Sequence, residues 1–184
     1  ALVSTIPGIN EVLFNDLGEA QWAAAAISEL AVKGIVSGDE NKNFRPNDIL
    51  KREEFIKMLV DAMGIYDSRA KCDFEDVEED KWYYSYIASA YKHGLVNGIS
   101  DTLAGVGQPL SRQDMVVLAV RAAEGRMEFA QKREMAVFAD AEGISEYAKE
   151  AVEKLYVSGI VNGMGEDMFM PHGTATRAQG ALII

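Results

Sequence analysis

Apolar residues recur along the chain in three similar stretches, each with the periodicity of a helix. In the first stretch, Ala23, Ile27 and Leu30 lie three or four residues apart, on one face of a helix. Gly34 follows as the expected C-cap, because glycine adopts the left-handed conformation at little cost. The same pattern predicts helices over residues 23–33, 83–93 and 148–158.

A second helical pattern begins at an arginine in each stretch. The three arginines are Arg52, Arg112 and Arg177. Each lies 14 residues after the second glycine of a turn, and each opens an apolar run. The first of these helices is expected to extend to about Met63. The chain therefore contains three tandem units of helix, long turn and helix.

Such units cannot bury their apolar faces alone, so the three copies are expected to pack on one another. We predict an all-α fold of three helix-turn-helix repeats, packed as a pseudo-threefold, three-pronged spindle around a central helical bundle. An open solenoid would satisfy the same periodicity. The predicted boundaries are an N-terminal extension at 1–13, repeats at 14–65, 74–125 and 138–184, and linkers at 66–73 and 126–137. The second linker is expected to tolerate insertions.

Aromatic residues occupy two equivalent positions in each unit. Phe14, Phe74 and Phe138 open the units, and core packing is expected for them. A second set lies 12 residues before the first glycine of each turn: Trp22, Trp82 and Tyr147. Rings of this kind pack in cores or cover the apolar face of a sugar, and the residues alone favour core packing.

Composition excludes several classes of function. A formal net charge of -11 argues against nucleic acid, whose phosphates require clustered Lys and Arg. No apolar run reaches the ~20 residues of a membrane helix, so no membrane span is predicted. Cys72 is the single cysteine, which gives no internal disulfide and no zinc cluster. Residues 39–50 alternate polar groups like a calcium loop but lack its glycine and its glutamate, so no metal site and no cofactor are predicted.

The start of each arginine helix has more than one interpretation. Ser111 with Asp114, and Thr176 with Gln179, match a capping box, whereas the first unit has Lys51 at the cap. Capping does not explain the arginine, because a cation in the first turn is unfavourable by about 0.3–1 kcal/mol.

Two explanations for the arginines stay open. In the first, each guanidinium group pairs with a carboxylate such as Asp16, Asp76 or Asp140. In the second, the arginine and the free N–H groups of the helix form a binding site for a carboxylate or phosphate.

The order of these motifs resembles the S-layer homology domain, which usually occurs as three tandem copies. The pattern is Phe-x-Asp, an aromatic, Gly-Ile-Val-x-Gly, Phe-x-Pro and Thr-Arg-Ala-Glu, and it covers about residues 14–184. Residues 34–38, 44–46 and 51–54 of the first unit are close to it. The third unit is also close, apart from the amide of Gln179.

The resemblance implies a non-enzymatic anchor located outside the cell, in the bacterial cell wall or S-layer. Such domains form three-pronged, pseudo-trimeric α-helical structures. They bind secondary cell-wall polymers, commonly through pyruvylated N-acetylmannosamine, in grooves between prongs. The implied partners are a pyruvylated cell-wall polysaccharide and a peptidoglycan-linked polymer. A module that assembles with other surface-layer proteins without binding glycan is the alternative.

The resemblance also implies which residues form the grooves. Arg52, Arg112 and Arg177 would face the carboxylate of the ligand. The remaining groove residues would be the aspartates Asp16, Asp76 and Asp140, the aromatics Trp22, Trp82 and Tyr147, and the turn residues Ser37, Gly38, Asn97, Gly98, Asn162 and Gly163.

Two departures from the family pattern rank the three sites. Residues 104–109 replace the Phe-x-Pro motif in the second unit, so its loop and its groove are expected to be altered. The last helix stops about one turn short of its counterpart in the first unit, so we expect a fragment of a larger protein or a helix completed elsewhere. The Arg52 site is therefore expected to be the strongest.

Catalysis is not expected. The sequence has no Gly-x-Ser-x-Gly elbow, Walker loop, complete dinucleotide fingerprint or His-Glu-x-x-His motif. The carboxylates at 78–80 are interpreted as the solvated start of a helix rather than as an acid and base pair.

Overall fold

The regular structure of the protein is helical. The computed structural model describes residues 14–135, 137–165 and 167–184, so the predicted extension at 1–13 lies outside the described residues. In that part of the chain the helices are α1 (Ala24–Val32), α2 (Arg52–Met63), α3 (Tyr84–Lys92), α4 (Arg112–Ala123), α5 (Glu146–Val157) and α6 (Arg177–Ile183). Short 3-10 segments, Leu17–Ala23 and Ala141–Gly143, precede α1 and α5. These residues contain isolated β-bridges but no strand, and the predicted all-α class is confirmed.

The periodicity located the helices to within about two residues. The first helix of each unit was predicted at 23–33, 83–93 and 148–158, which agrees with α1, α3 and α5. The predicted end of α2 at Met63 is confirmed, and Gly64 caps it with a φ of 64°. None of the described helices is long or apolar enough to cross a membrane.

The aromatic residues that open the units are buried, as expected: Phe14, Phe74 and Phe138. Their rings pack against the second glycine of each turn. A Cβ atom on Gly38 would lie 2.7 Å from the Phe14 ring, and one on Gly163 would lie 3.1 Å from the Phe138 ring. These glycines are therefore required by packing, because a side chain would separate the turn from the ring beneath it.

The first helix of each repeat packs on the second helix of the preceding repeat, with the third repeat taken to precede the first. The pairs are α3 on α2, α5 on α4 and α1 on α6. The long turn of a repeat therefore carries the chain from one such pair to the next. The third repeat pairs with the first in the same way that consecutive repeats pair with each other.

A ring of three backbone hydrogen bonds connects the segments that lead into α2, α4 and α6. The N–H of Leu110 donates to the carbonyl of Leu50 at 2.9 Å, and the N–H of Ala175 donates to that of Leu110 at 2.8 Å. The N–H of Leu50 then donates to the carbonyl of Ala175 at 2.9 Å, which closes the ring. All three side chains are buried. This closure argues against an open solenoid, while the threefold symmetry of the spindle stays a prediction.

Candidate anion-binding grooves

The first N–H groups of the arginine helices are hydrogen-bonded to the following repeat. At α4, the N–H of Arg112 donates to the carbonyl of Gly173 at 2.9 Å, and that of Gln113 donates to Pro171 at 3.1 Å. The third N–H bonds to the hydroxyl of the N-cap Ser111. The start of α6 docks on the first repeat in the same manner. The expectation that free helix N–H groups form part of an anion site is therefore wrong for these two helices.

The capping interpretation is confirmed at two of the three helix starts. Thr176 accepts from the N–H of Gln179, whose side chain accepts in turn from the N–H of Thr176. Ser111 caps α4. At α2 the carboxylate of Glu54 accepts from the N–H of Lys51 at 2.9 Å, but a lysine side chain has no acceptor to complete the box.

The three arginine side chains reach across to the loop of the following repeat. In each case Nε donates to a backbone carbonyl six residues beyond the second glycine of the turn: Arg52 to Ala104 at 2.8 Å, Arg112 to Phe169 at 2.9 Å, and Arg177 to Phe44 at 3.0 Å. Each of these three arginines therefore bridges two repeats.

The aspartates hold the loops that receive the arginines. Asp16 accepts from the N–H groups of residues 44 and 45, and Asp140 accepts from those of residues 169 and 170, at 2.6–2.8 Å. Asp76 accepts from three consecutive N–H groups, at residues 104–106. Among the described residues none of these three aspartates forms an ion pair with Arg52, Arg112 or Arg177, and the expected pairing with a carboxylate is met only at Arg177, whose Nη1 lies 3.6 Å from Oε1 of Glu54. Their carboxylates organise the loop, and the groove-lining role expected of them stays a prediction.

Burial lowers the pKa of all three guanidinium groups, because desolvation disfavours the charged form. Nearby carboxylates raise the pKa of the same guanidinium groups. Asp114 raises the pKa of Arg52, and Glu54 raises that of Arg177. For Arg112 the carboxylate with this effect is Asp140, which is already bound to its own loop. Arginine stays protonated despite such shifts, so the positive charge is buried at Arg52 and Arg112 and half-buried at Arg177.

The aromatic residues of the second set are exposed. Trp22, Trp82 and Tyr147 have exposed fractions of 56%, 54% and 57%, so the core packing favoured from the residues alone is wrong. The hydroxyl of Tyr147 donates to Asp114 at 2.9 Å and accepts from the amide of Gln113. Trp82 lies edge-on to its neighbour Tyr83.

A pocket of ≈ 380 Å³ lies at Arg112. The turn at 160–164 forms one side and α6 forms another, through Gln179 and Leu182. Trp22 of the first repeat completes the lining. We call this pocket the Arg112 groove. All three repeats contribute to it, and it brings together the sequence-predicted residues Arg112, Asn162, Gly163 and Trp22.

The turn residues contribute unequally to the grooves. The carbonyl of Asn162 accepts from Nη2 of Arg112 at 3.3 Å, and that of Ser37 accepts from Nη2 of Arg177 at 3.5 Å. In the Arg52 groove, Gly105 approaches the side chain instead: a Cβ there would lie 3.0 Å from Cδ of Arg52. Asn97 is exposed, and Gly98 packs on Phe74.

The altered loop of the second repeat lies against Arg52, which changes the expected ranking of the sites. Arg112 lies over the ring of Phe169 at 5.2 Å, and Arg177 lies over the ring of Phe44 at 4.7 Å. Ala104 occupies the equivalent position beside Arg52, so that guanidinium group has no ring there. The departure at 104–109 therefore modifies the groove expected to be the strongest, not that of Arg112.

Arg133 is a residue that the repeat pattern did not identify. Its guanidinium group donates to the carbonyl of Tyr156 at 2.7 Å and to the side chain of Asn162 at 2.8 Å. It also stacks on the ring of Tyr156, 3.7 Å from the centroid. Arg133 thus fixes the turn that forms one side of the Arg112 groove. Because it lies in the predicted linker at 126–137, no counterpart in the other repeats signals its role.

Comparison with known proteins places this chain in a family. Relatives include an amylopullulanase of Thermoanaerobacterium thermosulfurigenes, 34% identical over 93% of this chain and 9% of its own length. The exoglucanase XynX of Acetivibrio thermocellus is 33% identical over 94% of this chain and 16% of its length. The surface-layer 125 kDa protein of Lysinibacillus sphaericus is 27% identical over 100% and 16%. The chain thus spans less than a fifth of each of these three relatives.

The matched part is the same kind of module in each comparison. Three segments, residues 13–56, 73–116 and 137–181, match the S-layer homology domain. This domain is a non-catalytic module that anchors surface proteins to the cell wall. The spacing of the motifs, the helical fold and these matches agree, and the chain belongs to the S-layer homology family, with three tandem copies of its domain.

Proposed function

We propose that this chain tethers a surface protein to the bacterial cell wall by binding an anionic secondary cell-wall polymer in the grooves between its repeats. The observation that carries the proposal is the Arg112 groove, where a buried cation, an exposed indole ring and a side-chain amide meet. Its volume of ≈ 380 Å³ falls within the range of about 300–1,000 Å³ typical of small-ligand sites.

The chemistry of the groove suits a sugar that carries a carboxylate, such as a pyruvylated N-acetylmannosamine unit. The guanidinium group of Arg112 can form charge-assisted hydrogen bonds to the carboxylate. Trp22 offers a flat apolar surface for the sugar ring. Leu182 and Ile160 add apolar surface to the lining, against which the methyl group of a pyruvyl ketal would pack. The polymer would be linked to peptidoglycan, and the protein would then act outside the cell.

Because the chain is acidic, binding of an anionic polymer has to rely on positive charge inside the grooves. With a charge of -11, the surface as a whole repels an anionic polymer. Binding then requires local positive charge that is shielded from the acidic surface, and the buried arginines provide it. We therefore expect no unspecific attraction to anionic walls that lack the cognate sugar.

Sedimentation with purified cell-wall sacculi tests the proposal. The chain is expected to sediment with intact sacculi, and to stay in solution when the secondary polymer has been stripped from them. Equal binding to stripped sacculi would contradict polymer binding. Self-association without any wall sugar, measured by sedimentation velocity, would favour the alternative of an assembly module for surface-layer proteins.

A further inference from the structure

Three aromatic rings adjoin one another on the surface where α3 packs on α2. The ring centroids of Tyr66 and Tyr86 are 4.8 Å apart, and those of Tyr86 and Trp82 are 6.4 Å apart. Trp82 and Tyr66 have exposed fractions of 54% and 49%, and Tyr86 is half-buried. We call these three residues the aromatic platform. A contiguous exposed patch of large rings is typical of a binding surface.

The aromatic platform belongs to one repeat and not to the repeated pattern. Tyr86 follows Trp82 by four residues, and the equivalent positions in the other two repeats hold Ala26 and Ala151. An alanine there is sufficient for a helix that packs in the same way. The fold therefore does not require a ring at this position, and the ring of Tyr86 needs another explanation.

Contacts along α2 connect the aromatic platform to the groove of Arg177, which we call the Arg177 groove. Nη1 of Arg177 lies 3.6 Å from Oε1 of Glu54 in the first turn of α2. Lys57 follows Glu54 by three residues, so the two side chains are neighbours on the surface of the helix. The ammonium group of Lys57 lies 5.3 Å from the centroid of the Tyr86 ring.

The turn of the first repeat makes the same connection from the other side. The carbonyl of Ser37 accepts from Nη2 of Arg177 at 3.5 Å, and the carbonyl of Ile35 accepts from Nζ of Lys57 at 3.4 Å. Two cations therefore contact one short turn, and the second of them is the one that lies over the aromatic platform. The Arg177 groove and the aromatic platform form one continuous surface.

We propose that the aromatic platform binds the sugar units next to an acidic unit held at Arg177, so that the Arg177 groove takes an oligosaccharide segment of the wall polymer and not a single sugar. The inference rests on the proposed function. It adds a subsite for neutral sugars to a groove that the pocket at Arg112 does not include.

The chemistry of the aromatic platform suits neutral sugar units. Each ring offers a flat apolar face and a polar O–H or N–H group, which together match the apolar face and the hydroxyl groups of a pyranose. The nearest cation, Lys57, is already paired with Asp61 at 2.6 Å, so the platform itself supplies no free charge for a second anion. Successive rings can cover successive units of a glycan chain.

The chain contains two tryptophans, which allows the aromatic platform to be observed directly. Trp22→Phe leaves Trp82 as the only tryptophan, so the fluorescence of this variant reports on the platform. The probe is an oligosaccharide of three or more units, with one pyruvylated N-acetylmannosamine, released from purified sacculi. We expect a saturable change in Trp82 fluorescence and an affinity at least about tenfold higher than for the pyruvylated monosaccharide. Equal affinities for the two sugars would overturn the inference.

Tyr86→Ala in the same background tests the platform residue that the other repeats lack. The variant introduces the alanine of the equivalent positions, so the fold should be retained. It is expected to bind the oligosaccharide about tenfold more weakly and the monosaccharide equally well. Tyr91→Ala is the matched control, because Tyr91 is an exposed tyrosine of the same helix whose ring packs on Phe74 instead. Equal effects of the two changes would contradict a role of the platform.

Sacculi distinguish failure of this inference from failure of the proposed function. If the wild-type chain sediments with intact sacculi but Trp82 does not respond to the oligosaccharide, the polymer is bound and the aromatic platform does not contribute. If the chain binds neither the oligosaccharide nor the sacculi, polymer binding itself is wrong. A response of Trp82 to a surface-layer protein, without a response to the sugar, would make the platform a protein-docking surface and overturn the inference.

Discussion

The Arg112 and Arg52 grooves begin from the same repeated sequence and differ in what surrounds the arginine. Both side chains are buried to the same extent, with 6% exposed, and both donate from Nε to a carbonyl of the following repeat. Arg112 lies on the ring of Phe169 and faces an amide. Arg52 has Ala104 in place of that ring.

This comparison shows that the properties of a groove cannot be read from the sequence of a single repeat. An arginine, the loop it contacts and the aromatic residue nearby come from three different repeats in the Arg112 groove. A substitution in one repeat therefore alters the groove named after another. Single substitutions around each arginine test how much each residue contributes to stability and to sugar binding.

The largest effect is expected for Phe169→Ala. Its ring is fully buried and packs on Phe138, so its removal should lower the free energy of unfolding by about 3–5 kcal/mol. The matched change Ala104→Gly removes one methyl group at the equivalent position and should cost ~1 kcal/mol. Urea denaturation measures both. Similar losses in the two variants would show that the loops do not differ as described.

A smaller effect is expected for sugar binding when the arginines are removed. Arg112→Ala should weaken binding of the pyruvylated monosaccharide by about 1.5–3 kcal/mol, or roughly 10- to 150-fold. Arg52→Ala should change it less than about threefold, because Arg52 does not line the Arg112 groove. Arg112→Ala loses hydrogen bonds to the carbonyls of Phe169 and Asn162, whereas Arg52→Ala loses one to Ala104, so the melting temperature should fall further in Arg112→Ala. A larger loss of affinity in Arg52→Ala would reverse the comparison.

The smallest expected effect is at the linker. Arg133→Ala removes the hydrogen bonds that hold the turn at Asn162, and should lower the free energy of unfolding by about 1 kcal/mol. Sugar affinity should fall a fewfold as the turn loosens. Lys132→Ala is the control, because the N–H of Lys132, which bonds to Val157, survives the change. Equal effects of the two changes would mean that Arg133 has no special role in positioning.

The helices could be predicted because their signal is local. Apolar residues three and four apart, with a glycine after them, located α1, α3 and α5 without knowledge of their partners. The buried aromatics at the start of each unit followed from ordinary burial tendency. Trp22 departed from that tendency because it lies in the 3-10 segment Leu17–Ala23, before the inner face of α1 begins.

The grooves could not be predicted, because they depend on which repeat an arginine side chain reaches. Gln179 was visible in the sequence as the one amide among equivalent carboxylates. Its proximity to Arg112, rather than to Arg177 beside it in the chain, required the packing of α6. The free helix N–H groups failed as a prediction for the same reason, since their acceptors are carbonyls of the following repeat.

The interfaces between the repeats do not depend on which repeat comes first in the chain. The hydrogen bonds that join Leu50, Leu110 and Ala175 treat the junction of the third repeat with the first like the other two. A circular permutant that runs second, third, first would retain every interface and the Arg112 groove. A fragment of two repeats would leave at least one arginine without a loop to receive it, so the three copies form the smallest complete unit.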